Sequence, residues 1–141
     1  MGPTNAEKNT IDLSMMSDDE LRLYLAVYDG RADIVRGLLA AGVDKDKVAH
    51  DGITPLYIAA QNGDFEVVRA LLDAGADKDK ATKDGKTPLY IAAVYSHFEV
   101  VCALLDAGAD KDKVTKDGET PLYVTLMYGH REVVRALSLS R

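Results

Sequence analysis

Tryptophan is absent from this chain of 141 residues, cysteine occurs once, phenylalanine twice and proline four times. A single cysteine, Cys102, cannot close an intramolecular disulfide, which excludes a disulfide-stapled scaffold and suits a reducing compartment. No apolar run approaches the roughly 18 residues needed to cross a bilayer, and Met1 to Lys8 lacks the apolar core of a secretory signal. The first two residues match the start of a myristoylation motif, but Ala6 stands where that motif wants Ser or Thr. A cytoplasmic chain with no membrane partner is expected. Excess positive charge is missing too. The formal net charge is −6, which argues against a phosphate-tracking surface, so nucleic acid is not an expected partner.

Catalytic and metal-binding signatures are equally scarce. There is no Gly-rich phosphate loop, nucleophile elbow or opposed carboxylate pair, so no enzyme and no cofactor are expected. Asp77-Lys78-Asp79-Lys80 and Asp110-Lys111-Asp112-Lys113 alternate acids in a way that invites calcium. A calcium loop wants a third oxygen ligand, then glycine and a terminal Glu; Ala81 and Thr82 stand there instead, and the lysines oppose a cation. His97 and His130 occupy equivalent places with Asp64 in the same column, at a spacing expected to be too wide for one zinc. Cys102 has no neighbouring base or helix start to activate it, and its column, shared with Arg69 and Arg135, predicts a solvent-facing helical position.

What the chain does have is repetition. Asp51-Gly52-Ile53-Thr54-Pro55-Leu56-Tyr57-Ile58-Ala59-Ala60 returns as Asp84 to Ala93 and again from Asp117, at a spacing of 33 residues. A period of this length marks a stacked array whose units contact only their neighbours and present an extended surface. Within each unit a threonine offers an N-cap and proline fills the first helical position, where its missing N–H costs nothing. The alanines at 59, 60, 92 and 93 let adjacent inner helices approach closely. A second helix follows from Phe65, with Val67, Val68, Leu71 and Leu72 on one stripe and Glu66, Arg69 and Asp73 on the other, and it stops at Gly75. The polar stretch from Ala76 to Gly85 then forms a projecting finger.

The cycle of Asp-Gly, Thr-Pro-Leu, Ala-Ala, Gly, Val, Leu-Leu and Gly-Ala resembles the ankyrin repeat over about Asp18 to Arg141. The resemblance implies an all-α solenoid of four stacked helix-turn-helix pairs with finger loops. Where the family usually carries histidine after Thr-Pro-Leu, this chain has Tyr57, Tyr90 and Tyr123, which are expected to be structural. Residues 17–50 read as a diverged N-terminal capping repeat, opened by Ser17-Asp18-Asp19-Glu20. Residues 51–83 and 84–116 are internal repeats. Residues 117–141 read as a C-terminal capping repeat, with Arg131 for Phe and Ser138 for Leu. Residues 1–16 carry no period and are expected either to tuck against the first pair or to stay loose.

The two internal repeats differ at only seven positions: Ile53/Lys86, Gln61/Val94, Asn62/Tyr95, Gly63/Ser96, Asp64/His97, Arg69/Cys102 and Ala81/Val114. Five of them fall at the finger's end or around the end of the first helix, which by resemblance line the concave face that meets partner proteins. Stacking the frames aligns Tyr28, Gln61, Val94 and Met127 beside Asp29, Asn62, Tyr95 and Tyr128, with Ile53, Lys86 and Glu119 on the fingers. Solvent-facing aromatic and methionine side chains suit an interface core, because they bury much area for little lost rotamer freedom. The expected function is non-catalytic recognition of another protein by a chain that is monomeric on its own. Two alternatives stay open: an engineered binder selected against a target protein, and a structural module that self-associates through Met127 and Tyr128.

Overall fold

The computed structural model describes residues 14–140; the N-terminal extension lies largely outside this range, and of its described residues Met16 packs on the core while Met15 is exposed. The described residues form eight α-helices: α1 (Asp18–Tyr28), α2 (Ala32–Ala40), α3 (Pro55–Asn62), α4 (Phe65–Asp73), α5 (Pro88–Val94), α6 (Phe98–Asp106), α7 (Pro121–Tyr128) and α8 (Arg131–Leu139). Consecutive helices pair as hairpins. The odd-numbered helices stack on one another in an inner layer, the even-numbered ones in an outer layer. No strand occurs among the described residues. The expected all-α repeat solenoid of helix pairs is what the chain forms.

Each inner helix starts for the reason its sequence suggests. The hydroxyls of Thr54, Thr87 and Thr120 accept from the amides of Tyr57, Tyr90 and Tyr123 at 3.1 Å, ahead of a proline at the first helical turn. Ser17 does the same for α1, accepting from the Glu20 amide at 3.2 Å. Such caps satisfy amides that the helix cannot, for about 1 kcal/mol each. Ala59, Ala60, Ala92 and Ala93 are fully buried between layers, and Val67, Val68, Leu71, Val100, Val101 and Leu104 carry the outer helices onto them. Leu72 is half-buried, whereas Ala70, on the face turned to the preceding repeat, is buried.

The turn between paired helices needs a left-handed residue. Gly63 supplies it with φ 70°, and the amides of Gly63 and Asp64 return to the carbonyls of Ala60 and Ala59. In the next repeat Ser96 holds the same conformation at φ 58°, a strained choice for a residue with a Cβ.

The Asp-Lys-Asp segments tie repeats together. Asp46 Oδ1 accepts from the Asp77 amide at 2.9 Å and Asp79 Oδ1 from the Asp110 amide at 2.8 Å, one repeat onward in each case. Asp77 and Asp110 in turn accept from the amides of Asp79 and Asp112. Lys111 Nζ donates to the carbonyls of Leu137 and Ser140, at the C-terminal end of α8, where a cation suits the helix dipole. Alternating acid and base thus serves amides and carbonyls of neighbouring repeats. The fingers are tight hairpins, with Thr82 N bonded to Lys86 O at 2.9 Å and Lys83 N reaching Asp51 O of the preceding finger at 2.7 Å.

Candidate protein-binding face

Position in the repeat decides exposure on the inner layer. The column Tyr24, Tyr57, Tyr90 is buried, turned toward the next repeat. The Tyr24 hydroxyl lies 2.5 and 2.6 Å from the carbonyl oxygens of Lys47 and Ile53 and shares its one proton between them, and Tyr90 donates to Glu119 Oε1 at 3.0 Å. These two hydroxyls bond the adjoining finger. Tyr123, expected to be structural like the others, is half exposed, because among the described residues no repeat follows to cover it.

One turn further along each inner helix the pattern reverses. Tyr28, Gln61 and Met127 are exposed and Val94 is half-buried; Asp29, Asn62, Tyr95 and Tyr128 are exposed in every repeat. In the second of these columns exposure comes from the helix face and does not depend on a neighbour. Tyr95 and Tyr128 each lie beside the histidine two residues on, with ring centroids 6.1 Å from His97 and 5.8 Å from His130. Those histidines are held in turn. His97 Nε2 donates to Gln61 O at 2.9 Å and His130 Nε2 to Val94 O at 3.1 Å, closing carbonyls at the ends of α3 and α5. The same contacts fix both imidazoles in the tautomer protonated at Nε2, and among the described residues no cluster of three metal-ligating side chains forms.

The finger positions are less free than sequence suggests. Ile53, Lys86 and Glu119 are all half-buried; Ile53 packs on the core, and the Glu119 carboxylate is engaged by Tyr90. Tyr57 and Tyr90 are both pushed up to about 12, chiefly by burial. For Tyr57 the Tyr95 hydroxyl and Asp84 add to this; for Tyr90 the bond to Glu119 does, with Tyr128 nearby. Tyr95 and Tyr128 therefore each lie near the buried tyrosine of the preceding repeat. Partial burial also raises Tyr28. Cys102, on α6, is half-buried, and burial followed by Asp106 and Glu99 raises its thiol, the reverse of an activated nucleophile. Sequence reasoning passed over two exposed finger residues, Val48 and Val114, and the exposed Leu126 of α7. Only the Ala81/Val114 difference hinted at them.

A solenoid of stacked helix pairs joined by hairpin fingers, with exposed aromatic side chains along its inner helices, defines a repeat protein of the interaction class. The family model for ankyrin repeats, in three copies, matches residues 23–115, and the chain belongs to that family. Ankyrin repeats are generally protein–protein interaction modules and typically non-catalytic. No curated protein matches the chain. Among the described residues, no helix is long and apolar enough to cross a membrane.

Proposed function

We propose that this chain recognises a partner protein, without turnover or cofactor, through the face formed by the ends of its inner helices and the adjoining fingers. The observation that carries the reading is the run of Tyr95, Met127 and Tyr128, large side chains exposed on consecutive repeats, with Tyr95 and Tyr128 in a column that is exposed in all four repeats. Aromatic anchors of this kind dominate binding energy when a partner desolvates them. Gln61, Asn62 and Tyr28 extend the face toward the first repeat, and Val94 fills the layer between them. Ile53, Lys86 and Glu119 contribute as its half-buried rim. The single, unactivated cysteine fits a reducing, cytoplasmic setting.

The test compares capture of partners from cell lysate by the intact chain and by two double variants. Tyr95→Ala with Tyr128→Ala is expected to weaken the complex by upwards of about 2 kcal/mol while leaving circular dichroism and the thermal midpoint nearly unchanged. Arg69→Ala with Glu99→Ala, both exposed on the outer helices, is expected to do neither. Loss of binding in the outer-helix pair, with the tyrosine pair still binding, would sink the reading.

A further inference from the structure

Among the described residues the stack repeats one interface three times, and each of its two halves is left exposed once. On the half turned to the preceding repeat, Ile58 and Val67 are 2% and 0% exposed, whereas their counterparts in the first repeat, Leu25 and Ile34, are 50% and 42% exposed. On the half turned to the following repeat, Ala60 and Ala93 are fully covered, whereas Leu126 in the same column is 60% exposed. Leu126, Val134 and Leu139 there line an open apolar hollow rimmed by Arg131 and Arg135. We propose that these two half-interfaces meet, a second copy of this chain seating its α1–α2 face on the α7–α8 face of the first in the register of one more repeat.

Contacts already present in the stack specify that occupant. Arg36 Nη2 lies 3.7 Å from Glu66 Oε2 across one inter-repeat boundary. Carrying the 33-residue period onward brings Arg135 opposite Asp33 of the second copy, again cation to acid. His97 and His130 each donate to a carbonyl at the end of the preceding inner helix. The same register brings Arg31 of the second copy to the Met127 carbonyl, so the donor is kept although the residue changes. Space for it is open. A Cβ on Gly63 would run into the His97 ring, but nothing comes within 4 Å of the same position on Gly129. Arg31 and Asp33 pair with each other at 3.5 Å in the free chain, an exposed contact that stacking would exchange. Arg131 and Arg135 rim the hollow on one face, and Asp33 is the acid that this register brings to Arg135. Since the faces differ, the contact is heterologous. Each added copy leaves one face of each kind free, and growth continues.

Sedimentation velocity on the full chain tests this, with one block placed on each face: Leu126→Asp and Ile34→Asp. Both positions are exposed, and Arg135→Glu serves as a second block on the α8 side. The unmodified chain is expected to sediment faster with rising concentration, passing beyond dimer by about 1 mM. Each blocked chain alone should stay monomeric, and their equimolar mixture should give a dimer that grows no further. Tyr95→Ala should leave the association intact, which separates this contact from the partner-binding face. The proposal is overturned if the unmodified chain stays monomeric throughout. It is also overturned if Ile34→Asp still dimerises, which would mean like faces meeting, or if the mixture stays monomeric while circular dichroism shows both variants folded.

Discussion

Ser96 shows how much one residue can carry in a repeat. It holds a left-handed φ that glycine adopts freely, and its counterpart Gly63 has the His97 ring packed against the space a side chain would fill. In the next repeat the histidine that follows Ser96 by one repeat is His130, whose bond to Val94 O is 3.1 Å against 2.9 Å for His97 to Gln61 O. Ser96→Gly is therefore expected to stabilise the fold by about 0.5–1 kcal/mol, relief of strain outweighing the added freedom of the unfolded chain. Gly63→Ser should destabilise it by more than that; urea midpoints measure both. The buried tyrosines set a second expectation. Tyr57 and Tyr90 titrate near 12 in the fold, above their ordinary 10.0, so folding favours the neutral phenol. That stability is fully present below pH 10 and is lost as pH rises through about 12. Denaturation across this range, followed with tyrosinate absorbance, should show the loss, and Tyr57→Phe should flatten it. A decline complete before tyrosine ionises would show another group to be responsible.

At the scale of the element, the outer helices are held by apolar side chains and the segments after them by carboxylates. Leu104 is fully buried between α6 and its neighbours, and Leu104→Ala should cost on the order of 2–5 kcal/mol in thermal or urea unfolding. A cost under about 0.5 kcal/mol would mean that the α6 face is not packed as described. The Asp79 carboxylate bonds the Asp110 amide of the next repeat, and Asp79→Ala should cost about 1 kcal/mol. Because that carboxylate is committed to an amide, added calcium should leave the melting midpoint of the unmodified chain where it is. A midpoint climbing with calcium, and no longer climbing in Asp79→Ala, would show a cation site instead.

For the whole molecule, what was legible in the sequence is what each repeat decides within itself. The Thr-Pro caps, the alanine pairs and the glycine stops depend on residues a few positions apart, and the 33-residue period displays each of them again. The solvent-facing character of Tyr95 and Tyr128 was legible for the same reason, since it follows from the helix face alone. What depends on the neighbour was not. Glu119 reads as a free finger acid until Tyr90, 29 residues earlier, is seen to bond it. Ile53 and Lys86 in the same column offer no repeated acid from which to infer that bond. Tyr123 reads as a buried structural residue because its column is buried wherever another repeat follows. The aspartates of the Asp-Lys-Asp segments likewise find their acceptor role only in the stacked array.

The near-identity of residues 51–83 and 84–116 has a consequence for how the chain reaches its native state. Surfaces that match the first repeat to the second also match it, residue for residue over most of the contact, to the third. A refolding chain can therefore stack the first repeat on the third and leave one repeat looped out, giving up one interface, while the entropy of the larger loop adds little because it rises only with the logarithm of length. Such a register error is a kinetic trap built from native contacts, and escape from it requires breaking a correct-looking boundary. The discriminating residues are few: Asp64 against His97 at the boundary with α1, and Gln61 against Val94 beneath it. Fidelity of assembly in this protein rests on the same handful of differences that shape its binding face.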